Sequence, residues 1–218
     1  MTRESMFNPV PRIKVCGITS QEDAFYAASL GVDAVGFVLA KSPRRVDPQK
    51  VREISLSLPP LVSTVGVVVD MDLETLRKTA SFCRLHWVQL HGHESPEYCR
   101  ALDVNIIKAV RVKDRESLEA MAAYKGCVHG FLLDTYVKGK PGGTGRTFDW
   151  ALVEEAKKYG PVILSGGLTA ERIREAIALA RPYGVDVSSG VESAPGVKDR
   201  EKMRRFVTVV RSTMGDME

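Results

Sequence analysis

A (β/α)8 barrel is the fold class that the sequence predicts, on three observations. Eight short β-rich runs alternate with amphipathic segments from end to end, polar residues gather where those runs end, and the chain is 218 residues long. The runs fall at 13–16, 34–39, 63–69, 87–91, 106–111, 130–134, 162–165 and 185–189. Each β-then-α unit returns the chain to the same edge of a sheet, which favours parallel strands, and eight such units can close on themselves. The length lies near the lower end for such a barrel, so insertions must be few. A doubly wound open sheet is the alternative, because periodicity does not reveal closure.

The helical segments carry their own start and stop signals. Ser20 precedes Gln-Glu-Asp, so its hydroxyl can cap free amides while the acids face the positive helix end; Gly31 can supply a left-handed stop. Asp47-Pro48 and Ser95-Pro96 each place proline in a first helical turn behind a capping side chain. Thr169 opens a run in which Ile173, Ala176, Ile177 and Ala180 share one helical face. No linker or composition break divides the chain. It is expected to be one domain over residues 1–218, with residues 1–11 a polar N-terminal extension and a frayed end at GDME.

Composition narrows the function classes. Hydrophobic residues make up 44% and charged residues 27%, which argues against disorder and leaves enough apolar surface for a core without disulfide or metal staples. A net charge of +4, dispersed along the chain, with 7% aromatic residues argues against a nucleic-acid partner and is compatible with an anionic small molecule. Cys16, Cys83, Cys99 and Cys127 form no C-x-x-C pair and no zinc spacing, which points to a reducing cytoplasm. No signal-peptide run and no membrane-spanning apolar stretch is present, so no membrane partner is expected.

In a barrel the chemistry belongs at the C-terminal ends of the strands. Period-two alternation puts Lys14 with Cys16, Gln89 with His91, and Leu132 with Asp134 on shared faces there. Cys16 is either inert packing, as free cysteine often is, or a reactive thiol beside a lysine that could stabilise its thiolate. Asp134 ends an apolar run, where a carboxylate must be hydrogen-bonded or titrate within a site. Gln89 and His91 fit a loop-supporting pair as well as direct chemistry. Glycine-rich turns at 142–145, 165–167 and 188–190 are weak signals singly, but two of them follow the seventh and eighth runs, where barrels bind phosphate through backbone N–H groups. Arg44-Arg45 reads as a solvated charge pair or as a two-point grip on a carboxylate.

Seven motifs in order then resemble one family: KVCGIT at 14–19, GVDAVGFVLAKSPRRV at 31–46, VQLHG at 88–92, LLDT at 132–135, GGTGRTFDW at 142–150, LSGGLT at 164–169 and DVSSGVE at 186–192. Together they resemble phosphoribosylanthranilate isomerase, an enzyme of tryptophan biosynthesis, over about residues 12–210. The resemblance implies a (β/α)8 barrel and an Amadori rearrangement of N-(5-phosphoribosyl)anthranilate to 1-(2-carboxyphenylamino)-1-deoxyribulose 5-phosphate, with no metal or cofactor. It makes Cys16 the general base and Asp134 the general acid, and sets Arg44 on the anthranilate carboxylate. It further implies Gln89, His91 and Asp186 around the substrate, and phosphate held near Gly143, Gly145, Gly166, Gly167, Ser189 and Gly190. The implied partner is a phosphorylated small molecule, for a chain that is a monomer or a homodimer. The extra residues Met1 to Pro11 and the lengthened KGKPGG loop depart from shorter members.

The implied chemistry suits those residue types. Opening a ribofuranose needs a proton on the ring oxygen, and the resulting Schiff-base cation then loses its C2′ proton to a base. At an ordinary pKa of about 3.9 only about one aspartate in a thousand is protonated at neutral pH, so Asp134 is expected to sit where its pKa rises. Lys14 is expected to increase the thiolate fraction of Cys16. A histidine-biosynthesis isomerase that runs the same rearrangement resembles a pattern with aspartate in place of Cys16, and the cysteine decides against it. A non-catalytic phosphosugar-binding barrel would need neither Cys16 nor Asp134.

Overall fold

A computed structural model describes residues 10–112, 115–134 and 150–213. Its strands are β1 (Arg12–Cys16), β2 (Ala34–Val38), β3 (Ser63–Val68), β4 (Trp87–Leu90), β5 (Asn105–Arg111), β6 (Gly130–Asp134), β7 (Val162–Ser165) and β8 (Gly184–Val187). All eight pair in parallel with their sequence neighbours, and β8 pairs back onto β1 through Ile13 with Val185 and Lys14 with Asp186. That last ladder closes the barrel and excludes the open-sheet alternative.

The helices between and after the strands are α1 (Gln21–Ser29), α2 (Pro48–Ser57), α3 (Leu73–Phe82), α4 (Pro96–Arg100), α5 (Arg115–Glu119), α6 (Trp150–Ala156), α7 (Ile173–Ala180) and α8 (Arg200–Ser212). Ser20 and Ser95 cap as expected: their hydroxyls accept from the backbone N–H of Asp23 and Tyr98. Gly31, at φ 76°, supplies the turn that ends α1. The other two signals need correction. Asp47 precedes Pro48 at the start of α2, but its side chain makes no capping bond. Residues 170–172 form a turn, so the helix expected from Thr169 starts only at Ile173.

Strands of a covered parallel sheet are apolar on both faces, and here the two faces feed two cores. Outward residues such as Val15, Phe37, Leu90, Phe131 and Leu164 pack with the helices in one large cluster. Inside the barrel Ile107, Ala109 and Leu132 form a second, smaller cluster with Trp87 and Ile163 around it. On α7 the expected stripe of Ile173, Ala176, Ile177 and Ala180 is buried. On α8 the stripe is Met203, Phe206, Val207 and Val210, spaced to face one way. Burying each large apolar side chain contributes about 1.5–3 kcal/mol.

Several strands stop a residue or two before the expected ends, which leaves His91 in a loop and Ser189 at the start of a 3-10 turn over Ser189–Val191. A further hairpin interrupts the path from β8 to α8, formed by β9 (Glu192–Ala194) and β10 (Val197–Lys198). Among the described residues no helix is long and apolar enough to cross a membrane.

Candidate active site

One cavity of about 360 Å3 opens at the C-terminal rim, and its wall draws on strands from all round the barrel. Cys16 comes from β1, Gln89 from β4, Asp134 from β6, Ser165 from β7 and Asp186 from β8. Loop residues Arg44, His91, Gly166, Gly167 and Ser189 complete it. The thiol and the carboxylate singled out in the sequence therefore face a single space. Gly190 is not on this wall. A Cβ there would lie 1.9 Å from the Leu168 carbonyl oxygen, so its bare backbone is what lets the loops after β7 and β8 meet. Gly143 and Gly145 lie outside the described residues.

Inside the barrel, Lys14 and Asp186 sit in register on neighbouring strands, both buried, with the ammonium 2.7 Å from Asp186 Oδ1. Ser165 donates to the other carboxylate oxygen at 3.1 Å. Burial opposes the Lys14 charge, but Asp186 and the neighbouring Cys16 favour it and hold its pKa above the ordinary lysine value. The effect on Cys16 differs from expectation. Burial pushes the thiol above its ordinary pKa, and Lys14 only partly offsets this because Asp186 acts in the opposite direction. The lysine is beside the sulfur as period two requires, yet the resting thiol is protonated more firmly than a free one.

Across the cavity, His91 Nε2 lies 3.7 Å from Asp134 Oδ2. Gln89 Nε2 stands 3.2 Å from His91 Nδ1. With the amide N–H donating to Nδ1, the imidazole proton belongs on Nε2, facing Asp134. Gln89 is 2% exposed, and its Oε1 has no hydrogen-bond partner among the described residues. A buried acceptor left so costs about 1–3 kcal/mol, which a ligand N–H or O–H in the cavity would recover.

The loop carrying His91 is anchored from below. Lys108 on β5 donates to the carbonyl oxygens of Leu90 and Gly92 and to Glu94 Oε2, at 3.2, 2.8 and 3.1 Å. Glu94 in turn accepts from the N–H groups of Asp70 and Gly92. Neither residue stood out in the sequence, where a lone lysine inside an apolar run carries no sign of its partner.

Arg44 is part-buried and lines the cavity, while Arg45 is exposed, so the pair divides between the two readings. The Arg44 guanidinium is gripped by Glu192, Nε to Oε1 at 2.8 Å and Nη2 to Oε2 at 2.6 Å. Glu192 closes the DVSSGVE motif, whose resemblance implies no role for it, and no neighbouring residue marks Lys198 in the sequence. The alternation of acid, Pro-Gly turn and base across 192–198 was the available signal for a hairpin.

The closed parallel barrel, with its cavity at the C-terminal rim, places the molecule among the (β/α)8 barrels. Comparison with known proteins is more specific. The family model described as N-(5'phosphoribosyl)anthranilate (PRA) isomerase matches residues 13–209, and the chain belongs to that family. It is 52% identical over 197 residues to N-(5'-phosphoribosyl)anthranilate isomerase of Geotalea uraniireducens, covering 90% of this chain and 96% of the relative. The crystal structure of phosphoribosyl anthranilate isomerase from Thermotoga maritima superposes with a TM-score of 0.86 at 43% identity, over 93% of this chain and 99% of that one. A crystal structure of the isomerase in complex with reduced 1-(o-carboxyphenylamino)-1-deoxyribulose 5-phosphate matches with a TM-score of 0.83 at 41% identity, over 93% and 99% of the two chains.

Proposed function

We propose that this chain converts N-(5-phosphoribosyl)anthranilate to 1-(2-carboxyphenylamino)-1-deoxyribulose 5-phosphate in tryptophan biosynthesis, with Cys16 as general base and Asp134 as general acid. The observation that carries the assignment is that both side chains line one cavity together with Arg44 and residues that follow β7 and β8.

The steps follow from those positions. Asp134 delivers a proton to the ring oxygen of the ribose, the C1′–O bond breaks, and the anilino nitrogen's lone pair forms the Schiff-base cation. The cation acidifies C2′–H. Cys16 takes that proton, and the electron pair flows to nitrogen to give an enolamine that tautomerises to the ketone. Lys14 remains charged beside the sulfur and stabilises the thiolate once it forms. His91, with its proton on Nε2, steadies Asp134 after the proton has left. Arg44 receives the anthranilate carboxylate, while Gln89 and Asp186 face the sugar. Backbone amides near Gly166, Gly167 and Ser189 receive the phosphate.

The test follows the fluorescence of phosphoribosylanthranilate, generated in situ, as purified protein consumes it. Cys16→Ala and Asp134→Asn proteins are expected to stay folded and bind a reduced product analogue. Each should lose about 10²–10⁴-fold in kcat. A folded variant with a near-normal rate removes that residue from its role.

A further inference from the structure

We infer that Glu192 is a positioning residue for substrate recognition: it holds the Arg44 guanidinium so that only one edge is offered to the substrate carboxylate. The inference rests on the assignment of Arg44 above and extends it to a residue in a different loop, 148 positions away in sequence.

The guanidinium has five N–H donors arranged along two edges suited to bidentate contact. Glu192 takes the edge formed by Nε and Nη2, with both oxygens engaged. The edge formed by Nη1 and the second Nη2 proton is left for a further carboxylate. The stem is confined as well. It crosses above Gly17, where a Cβ would come within 2.7 Å of Arg44 Cδ, so the arginine is laid directly beside the loop that follows Cys16.

Glu192 is itself fixed in place. Its side chain is 4% exposed, and Oε1 also accepts from Lys198 Nζ at 2.9 Å, from a side chain with no exposure. Lys198 donates further to the carbonyl oxygens of Cys16 at 2.6 Å and Ser188 at 3.2 Å, tying the hairpin to the ends of β1 and β8. Thr19 Oγ1 hydrogen-bonds the Gly196 carbonyl from the other side. Burial works against the charge of Glu192, yet Arg44 and Lys198 hold its pKa below the ordinary glutamate range, so it is an anion across the neutral range. A buried carboxylate shared by two cations, one tied to the backbone of the proposed base and the other facing the cavity, fixes where carboxylate recognition takes place. This geometry selects substrates that carry a carboxylate ortho to the reacting nitrogen.

The experiment is a double-mutant cycle. Glu192→Asp keeps the charge that balances Lys198 but withdraws the carboxylate by one methylene, which breaks the two-point grip. Arg44→Met alone should raise KM for phosphoribosylanthranilate by about 10- to 100-fold. Glu192→Asp should raise it about 10-fold with kcat within about threefold of wild type, and the double variant should match Arg44→Met. With the anilino analogue that lacks the carboxylate, wild type and Glu192→Asp should have equal kcat/KM. Multiplying KM effects, or an unchanged KM in Glu192→Asp, overturns the inference. An unchanged KM in Arg44→Met overturns instead the assignment on which it rests. Should Glu192→Asp fail to fold, Glu192→Gln, with its full length but one oxygen in place of two, carries the same expectations.

Discussion

Gly36→Ala tests how closely the barrel controls its thiol. Gly36 lies on β2 in register with Cys16 on β1, and both are buried. A Cβ at Gly36 would lie 2.9 Å from Cys16 Sγ, 3.0 Å from Lys14 Cε and 3.1 Å from Lys14 Nζ. Ordinary carbon contacts begin near 3.5 Å, so the sulfur must retreat by roughly 0.6 Å or more. Neither neighbour yields easily. Cys16 has a single torsion to adjust, and the Lys14 ammonium is tethered to Asp186 at 2.7 Å. Misplacing a reacting group by about 1 Å costs on the order of 10²-fold in rate, so kcat should fall by about that factor while KM changes little. Overpacking a core costs about 1–3 kcal/mol, and the entropy that glycine no longer has to lose offsets about 0.4–1 kcal/mol, so the variant should remain folded. Turnover is read by substrate fluorescence and the thiolate by its ultraviolet absorbance against pH, with Cys16→Ala as the blank. A folded Gly36→Ala enzyme with wild-type kcat and an unmoved thiolate titration would refute the packing argument.

Three further outcomes follow from the electrostatics. Because burial raises the Cys16 pKa above the ordinary thiol value, the base is a minority thiolate at neutral pH, and the ultraviolet absorbance of the Cys16 thiolate should appear only in the alkaline range as that raised value is approached; an absorbance inflection below the ordinary thiol pKa contradicts this. The same shift means the folded state holds this proton more tightly than the unfolded chain, so its contribution to stability is full below the ordinary thiol pKa and is lost as pH rises through the folded value. Lys108→Met leaves Glu94 buried without its cation, and urea unfolding should show a loss of about 3–5 kcal/mol. A loss under about 1 kcal/mol would mean the Gly92 and Asp70 amides alone satisfy Glu94.

Much of the site was legible because two local rules converge at strand ends. Period-two alternation puts Lys14 with Cys16, Gln89 with His91 and Leu132 with Asp134 on shared faces, and the polarity of a parallel barrel puts them at one rim; the closed barrel shows that Cys16, Gln89 and Asp134 point inward. Ser20 and Ser95 were readable for the same reason, since a cap depends on residues within three positions. Asp47 fails because a nearby acceptor is necessary for capping but does not by itself aim the side chain.

What the sequence by itself determined is therefore whatever acts over a few residues: the eight strands, the buried stripe of α7, the caps at Ser20 and Ser95, and which polar groups share a face of the sheet. Tertiary structure alone decided which charges meet. Lys14 finds Asp186 only when β8 closes onto β1, Lys108 on β5 finds Glu94 in the loop after the neighbouring β4, and Arg44 finds Glu192 through a hairpin between β8 and α8. The rise in the Cys16 pKa belongs with these, because depth of burial and the competing pull of Asp186 exist only in the assembled barrel. Electrostatic energies depend on distance and dielectric in space, and neither quantity is written in the spacing of residues along a chain.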